Sequence, residues 1–404
     1  MSTPFVLRRS GAGDTSDEHC WAGTKCKQDA AGDLETGRAL PVDPAGYRRT
    51  FLPPCGEDFP RGALVSAGLW GIVSGIGADR LAEAIPPACR RVVEAIAPSA
   101  VRVSVDEAVV VTPDWPATGA THFVPCFSVL TTEPCSIRFE LSARVGGEWS
   151  PWVASVGLGP APFNSGSTPG RDSSRGGPLS VDVDVYRATA PVKAVRLRVR
   201  VRASDPAAVL AAPWALTLSA ADPSAPREST TAAAPPVRLT VPSVSQMEAD
   251  PALAHRICSP TCVAMVLDYW RRPADVAALA REMFHPATDL YGVWPAAILV
   301  AARRGVAGYL LRFPDWGAAA WCLARGLPVI ASVRYAAGEL TGSAAQATPG
   351  HLLVLTGYED GVALVNDPAA PTAATVPRRY SIEELRRVWL DRASVGYVLF
   401  PLER

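Results

Sequence analysis

The sequence of 404 residues shows no excess of either charge: 39 basic and 39 acidic side chains cancel. A general nucleic-acid binder carries a marked basic excess, so that class is set aside. Long apolar runs are also missing. The best candidate, GALVSAGLWGIVSGIGA at 62–78, is uncharged but loaded with Gly and Ser. A spanning helix wants ~20 mostly apolar residues, so the stretch reads as buried or loop and no membrane span is expected. There is no lipidation box or retention signal. The opening residues, MSTPFVLRRSGAGDTSDEH, have no apolar core behind their charges. No secretory signal is therefore read, and the cytoplasm is the default expectation, with export open only if the start is misassigned. The nine cysteines are odd in number and scattered, which excludes a small disulfide scaffold.

What is present points to packed domains. Hydrophobic residues make up 48% and charged residues 19%, enough for a core through most of the chain. At ~150 residues per domain the length implies two or three of them. The 38 prolines favour long connections and β-rich parts over a helical bundle.

Residues 1–60 are polar, without a period of 2 or 3.6, and are expected to be disordered. His19, Cys20 and Cys26 lie there, but their spacing fits no ligand pattern and a fourth ligand is missing, so no metal or cofactor is expected. Residues 61–119 give only short helices, with 78–98 broken by Pro86 and Pro87.

From 120 to 222 the pattern changes to alternation. CSIRFELSAR, LSVDVDVYRA, AVRLRVRVRA and PWALTLSA each set apolar against polar positions with period 2. Such segments are half-buried antiparallel strands, one face on a core and one in water, so an N-terminal β-sandwich of roughly six to eight strands is expected. Residues 157–178 form a long loop. The row Arg196, Arg198, Arg200 and Arg202 invites a nucleic-acid reading. No aromatics interleave with it, and a solvated face paired with Asp182 and Asp184 accounts for it better. Residues 223–237 are a linker rich in Pro, Ser, Thr and Ala.

Residues 238–404 read as an α+β domain with a mostly antiparallel sheet. Helices are expected at 259–270, 275–284, 294–304 and 315–325, and strands at 327–333, 351–358, 362–366 and 395–400. Ser381 and Glu384 form a capping box that starts a helix running to Trp389.

This domain carries the chemistry. Cys258 is followed by Ser259, Pro260 and an apolar-periodic run, which sets it at a helix N-terminus. The partial positive charge there favours a thiolate, the nucleophilic form. A buried core thiol is the competing use. Cys262, one turn on, reads as packing, and Cys322 as core. His351 follows Gly350, which allows a sharp turn, and opens a strand at a cleft edge. It can serve as a base near neutral pH or be a satisfied strand-end histidine. His255 and His285 are the alternatives. Asp367, before Pro368, either orients an imidazole or closes an Asx-turn, and Asn366 is the fallback orienter. Gln246 offers an amide donor for an oxyanion. Tyr291 and Trp294 either line the cleft or belong to the core.

VPSVSQ…ICSPTCVAMVLDYW…GHLLVLTGY…VNDPAA resembles the C39-like group of papain-fold cysteine peptidases over about 238–402. The resemblance implies Cys258 as nucleophile, His351 as general base, Asp367 as orienter and Gln246 as oxyanion donor. It implies a Cys-His-Asp hydrolase acting on a peptide or protein substrate, without cofactor. The preceding sandwich would be an accessory that holds substrate, a glycan or a cell surface. No G-x-x-x-x-G-K-[ST] box is present, so cleavage of double-glycine leaders is not expected. The alternative is an inert peptidase-like protein that binds a surface, glycan or protein. Transfer of an acyl group to an amine would use the same residues.

Overall fold

The computed structural model describes residues 67–74, 83–90, 93–95, 100–163, 177–224 and 235–402. The expected disorder of 1–60, the group His19, Cys20 and Cys26, and most of the linker lie outside the described residues.

The N-terminal region is β-rich. Its strands are β1 (Ala67–Ser74), β2 (Val93–Ala95), β3 (Val101–Val103), β4 (Glu107–Val111), β5 (Trp115–Pro116), β6 (His122–Val129) and β7 (Cys135–Val145). They continue with β8 (Glu148–Trp149), β9 (Val153–Leu158), β10 (Leu179–Asp182), β11 (Val185–Ala188), β12 (Ala194–Ala203) and β13 (Trp214–Ala221), with a short helix α1 (Pro206–Ala211) before the last. One sheet has the order β10-β11-β6-β13-β1-β2; the other is built on β3-β4-β12-β7-β8, with β5 on β12 and β9 on β7. Phe123, Phe127, Trp214, Leu216 and Leu218 of the first sheet meet Ile137, Phe139, Leu141, Val195, Leu197 and Val199 of the second in one apolar cluster. Tyr186 spans the gap, its hydroxyl donating to Phe139 O at 3.0 Å.

Several expectations change here. Of 78–98, the described residues hold the helical Glu83, a 3-10 turn at Pro87–Cys89 and the strand β2, so a strand replaces the helix expected after the two prolines. LSVDVDVYRA is a hairpin, not one strand: β10 and β11 join through Val183 and Asp184. Val183 takes a left-handed φ of 57°, strained for a β-branched residue. The arginine row does lie on one face, but its partners are others. Arg196 pairs with Asp114, Arg198 with Glu140, Arg200 with Glu107 and Glu140, and Arg202 with Asp106. Asp182 pairs with Arg187 across its own hairpin. Aromatic rings do join the row in space: Arg196 stacks on Trp149 and Arg198 on Trp152, contributed by neighbouring segments that sequence adjacency does not show.

The C-terminal region adds α2 (Cys258–Tyr269), α3 (Val276–Met283), α4 (Trp294–Ala302), α5 (Trp316–Ala324) and α6 (Ile382–Trp389). Its strands are β14 (Val237–Arg238), β15 (Ala307–Arg312), β16 (Val329–Tyr335), β17 (Thr348–Glu359), β18 (Val362–Asn366), β19 (Pro377–Ser381) and β20 (Val395–Phe400). They form one sheet, β15-β20-β16-β17-β18-β19 with β14 on β17, and every pairing is antiparallel. Helix α2 packs on one face, with Val263 and Val266 against Leu352, Val354 and Leu399. Helices α5 and α6 cover the other, with Leu323, Leu385 and Trp389 against Leu353, Leu355 and Val398. Ser381 caps α6, its hydroxyl accepting from Glu384 N–H, as the sequence implies.

The two regions are packed together, so β6 and β13 have no water-facing side: every residue of β13 is buried. Their outward positions include the small residues Cys126, Ser128, Ala215, Thr217 and Ser219. The end strand β15 of the C-terminal sheet lies edge-on against them. Gly308 N–H donates to Ser128 Oγ at 3.2 Å, Arg312 N–H donates to Ser219 Oγ at 2.8 Å, and Leu310 N–H lies against the Cys126 sulfur. A strand edge that would otherwise expose unpaired donors is closed by side chains of another sheet. Buried Asp184 accepts from Trp294 N–H at 2.9 Å. It thereby caps α4, whose own N-cap residue Val293 supplies no side-chain bond.

Candidate functional site

Cys258 is the first residue of α2, and Ile257 before it caps nothing with its side chain. Cys258 therefore stands at the end of the helix where first-turn N–H groups lack partners within the helix, and it is half-buried and not in a disulfide. Cys262 is fully buried, its sulfur donating to Leu352 O at 3.3 Å. Burial pushes its thiol well above the ordinary range, so it stays protonated and packs. Cys322 is buried in α5 and pushed up to about 12 by the same cause.

His351 lies inside β17, paired with Val333 of β16. The strand begins at Thr348, so Gly350 makes no turn; it continues the strand without a left-handed φ. The imidazole is buried, and its Nε2 lies 2.7 Å from Asp367 Oδ1. Nδ1 is left to meet Cys258. Burial opposes the charged ring, but the Asp367 charge, its hydrogen bond and the neighbouring Cys258 outweigh it and raise the histidine to about 10. At neutral pH the ring is an imidazolium.

Asp367 follows β18 and is fully buried. Its carboxylate makes two kinds of contact. Oδ1 accepts from Ala369 N–H at 3.0 Å, closing an Asx-turn, and also from the His351 ring. Oδ2 accepts from Tyr380 Oη at 2.7 Å. Burial pushes the carboxyl up, yet His351 and these donors hold it below its ordinary value. Asn366 points away, donating to Val241 O and Pro242 O, which removes it as an orienter.

Gln246 opens a 3-10 turn, and its backbone N–H donates to Pro368 O at 2.9 Å, next to Asp367. Its side-chain amide donates to Ala254 O at 2.7 Å through Nε2, and its Oε1 is buried without a partner. One of the two amide protons is thus committed to the chain four residues before Cys258.

The other candidates fall elsewhere. His255 is exposed. His285 sits in a turn, its Nδ1 2.7 Å from Thr288 Oγ1, and burial lowers its pKa. Trp294 is core. Tyr291 packs on Phe284 and beneath Arg256, which pairs with Asp289 at 2.7 Å. Tyr380 is the residue that sequence reasoning misses: a tyrosine in a strand reads as core, and nothing in the sequence marks its hydroxyl. Among the described residues no group of three or more His, Cys, Asp or Glu is placed to hold a metal, and no helix is long and apolar enough to cross a membrane.

No curated protein matches the chain. The crystal structure of a double glycine motif protease from an AMS/PCAT transporter, in complex with its leader peptide, is 20% identical, covers 41% of this chain and 97% of its own, and has a TM-score of 0.28. The peptidase domain of Streptococcus ComA, a bi-functional ABC transporter of a quorum sensing pathway, is 18% identical over 40% of this chain and 98% of its own, with a TM-score of 0.29. A protein from Bacillus anthracis, assigned as a C39-like peptidase, is 18% identical over 41% of this chain and 98% of its own, with a TM-score of 0.33. The stronger finding is a family model. It is that of the Peptidase_C39 like family, and it matches residues 238–397, which include α2, His351 and Asp367.

Proposed function

We propose that the C-terminal domain is a cysteine peptidase that hydrolyses a peptide or amide bond through Cys258, His351 and Asp367. The observation that carries this reading is the buried His351–Asp367 pair, 2.7 Å apart, beside a half-buried cysteine at a helix N-terminus. His351 lies beside Cys258 as its proton partner, and the sulfur is the nucleophile. The thiolate adds to the substrate carbonyl, and the oxyanion is held by the Cys258 N–H and the second amide proton of Gln246. Collapse of the tetrahedral species expels the amine, which takes its proton from His351. Water, deprotonated by the now neutral ring, then releases the acid and restores the thiolate. Asp367 keeps the ring oriented and stabilises its charge.

The N-terminal region reads as a β-sandwich, since its two sheets share one apolar cluster. We take β1–β13 as one unit and 238–404 as the second, joined by the linker.

The test is incubation of the full chain with a peptide library. Wild type is expected to form an acyl adduct on Cys258 and to release product, whereas Cys258→Ala keeps its fold and loses activity by more than about 1000-fold. Cys262→Ala retains the adduct. Full turnover by Cys258→Ala would overturn the assignment of the nucleophile, and no turnover by wild type, with Cys258 labelling no faster than a free thiol, favours an inert binding protein. Product analysis with an added amine separates hydrolysis from transfer.

A further inference from the structure

Tyr380 stands on β19, in register with Ala363 of β18, the strand that delivers Asp367. The end of β18 is also tied to the approach of β19, through Asp367 N–H donating to Val376 O at 2.9 Å. The carboxylate and the phenol are therefore held on two adjoining antiparallel strands. The Tyr380 ring is buried in the apolar cluster beneath the sheet, and its hydroxyl donates to Asp367 Oδ2 at 2.7 Å. Among the described residues Oδ2 accepts no other hydrogen bond, while Oδ1 receives both Ala369 N–H and the His351 ring. A carboxylate can rotate about its last bond and exchange its two oxygens. Here the oxygens differ, because only one has the phenol.

We propose that Tyr380 is a positioning residue for the hydrolase: by holding Oδ2 it fixes the rotation of Asp367, keeps Oδ1 on His351 Nε2, and keeps the carboxylate ionised in a fully buried place. This rests on the reading of Cys258, His351 and Asp367 given above. The phenol is suited to the task. Burial first, and then the Asp367 charge, push its pKa upward, which favours the protonated, donating phenol. A hydrogen bond to a charged group is stronger than one between neutral groups, and its loss leaves a buried oxygen without a partner.

The experiment follows Cys258 alkylation by iodoacetamide against pH in the full chain, located by mass spectrometry. With Tyr380→Phe, labelling at pH 6 is expected to slow roughly ten-fold, the effect of losing one charge-assisted hydrogen bond. Its acid limb moves to higher pH, because a carboxylate that loses a donor protonates more readily. A merely structural role would lower the melting temperature without moving that limb. In an Asp367→Asn background, Tyr380→Phe is expected to add no further loss, since the phenol acts through the carboxylate. Should Tyr380→Phe fail to fold, site-specific 3-fluorotyrosine at 380 keeps the ring in place with a more acidic hydroxyl, and the acid limb then moves to lower pH. Wild-type rate and limb in both variants, or a double variant that multiplies the two losses, would overturn the proposal. Wild-type labelling no faster than that of a free thiol would instead overturn the hydrolase reading beneath it.

Discussion

At the residue scale, the charge on His351 sets the pH behaviour. Its pKa in the folded chain, about 10, stands above the ~6.5 of an unfolded histidine. The imidazolium therefore contributes stability that is complete below about pH 6.5 and is lost as the pH climbs through about 10. Asp367 is shifted the opposite way, so its contribution is present above about pH 3.9 and fades as the pH falls through its lower folded value. Turnover is expected to fall as the pH passes about 10, where a neutral ring has no proton for the leaving amine. Asp367→Asn removes the charge that raises the ring; the alkaline limb should move toward neutrality and kcat should fall by about 100-fold or more. A pH–rate profile of both proteins measures this, and an unchanged alkaline limb would contradict it. The main residues are legible because Cys-Ser-Pro-Thr before an apolar run, Gly-His before a strand and Asp-Pro after one are local patterns. Tyr380 is not, because its partner is on a neighbouring strand and a phenol on a buried position carries no local mark.

At the scale of elements, α2 through α6 and the strands that carry His351 and Asp367 lie close to where the periodicity sets them. β15 escapes it, since an apolar run between two helices can be assigned to either. The hairpin of β10 and β11 escapes it for a different reason. Val181, Val183 and Val185 keep strict alternation straight through a two-residue turn that ordinarily wants glycine. The strained turn is what presents Asp184 to α4. Replacing Asp184 with Ala leaves the first N–H of that helix without its acceptor and removes a charge of favourable sign, a loss of about 1–2 kcal/mol. Asp184→Asn keeps an acceptor and should lose less. Urea unfolding of the full chain orders the three proteins, and equal midpoints would show that the cap contributes nothing.

At the scale of the whole molecule, alternation correctly marks the strands but misjudges what covers them. A serine or cysteine facing water and one facing a second region look alike in sequence. Alternation turns Ser219 toward water, whereas it meets β15 together with Ser128 and Cys126. Leu290, Val293, Ala296 and Leu299, around the start of α4, are continuous with the N-terminal apolar cluster. The C-terminal domain is thus not a free-standing body on a tether. Residues 238–404 produced alone should expose this apolar surface and the donors of β15, with each unmade hydrogen bond costing about 1–3 kcal/mol where it stays buried. Lower soluble yield and a lower melting temperature than the full chain are expected; an excised domain as stable as the whole would refute the dependence. The same seam bears on how the chain is made. Ribosomes release the β-rich half first, so its serine-lined surface is already waiting when the last sheet begins to assemble. The newborn outer strand finds its lid in its own molecule, and a neighbouring polypeptide has no chance to add itself there.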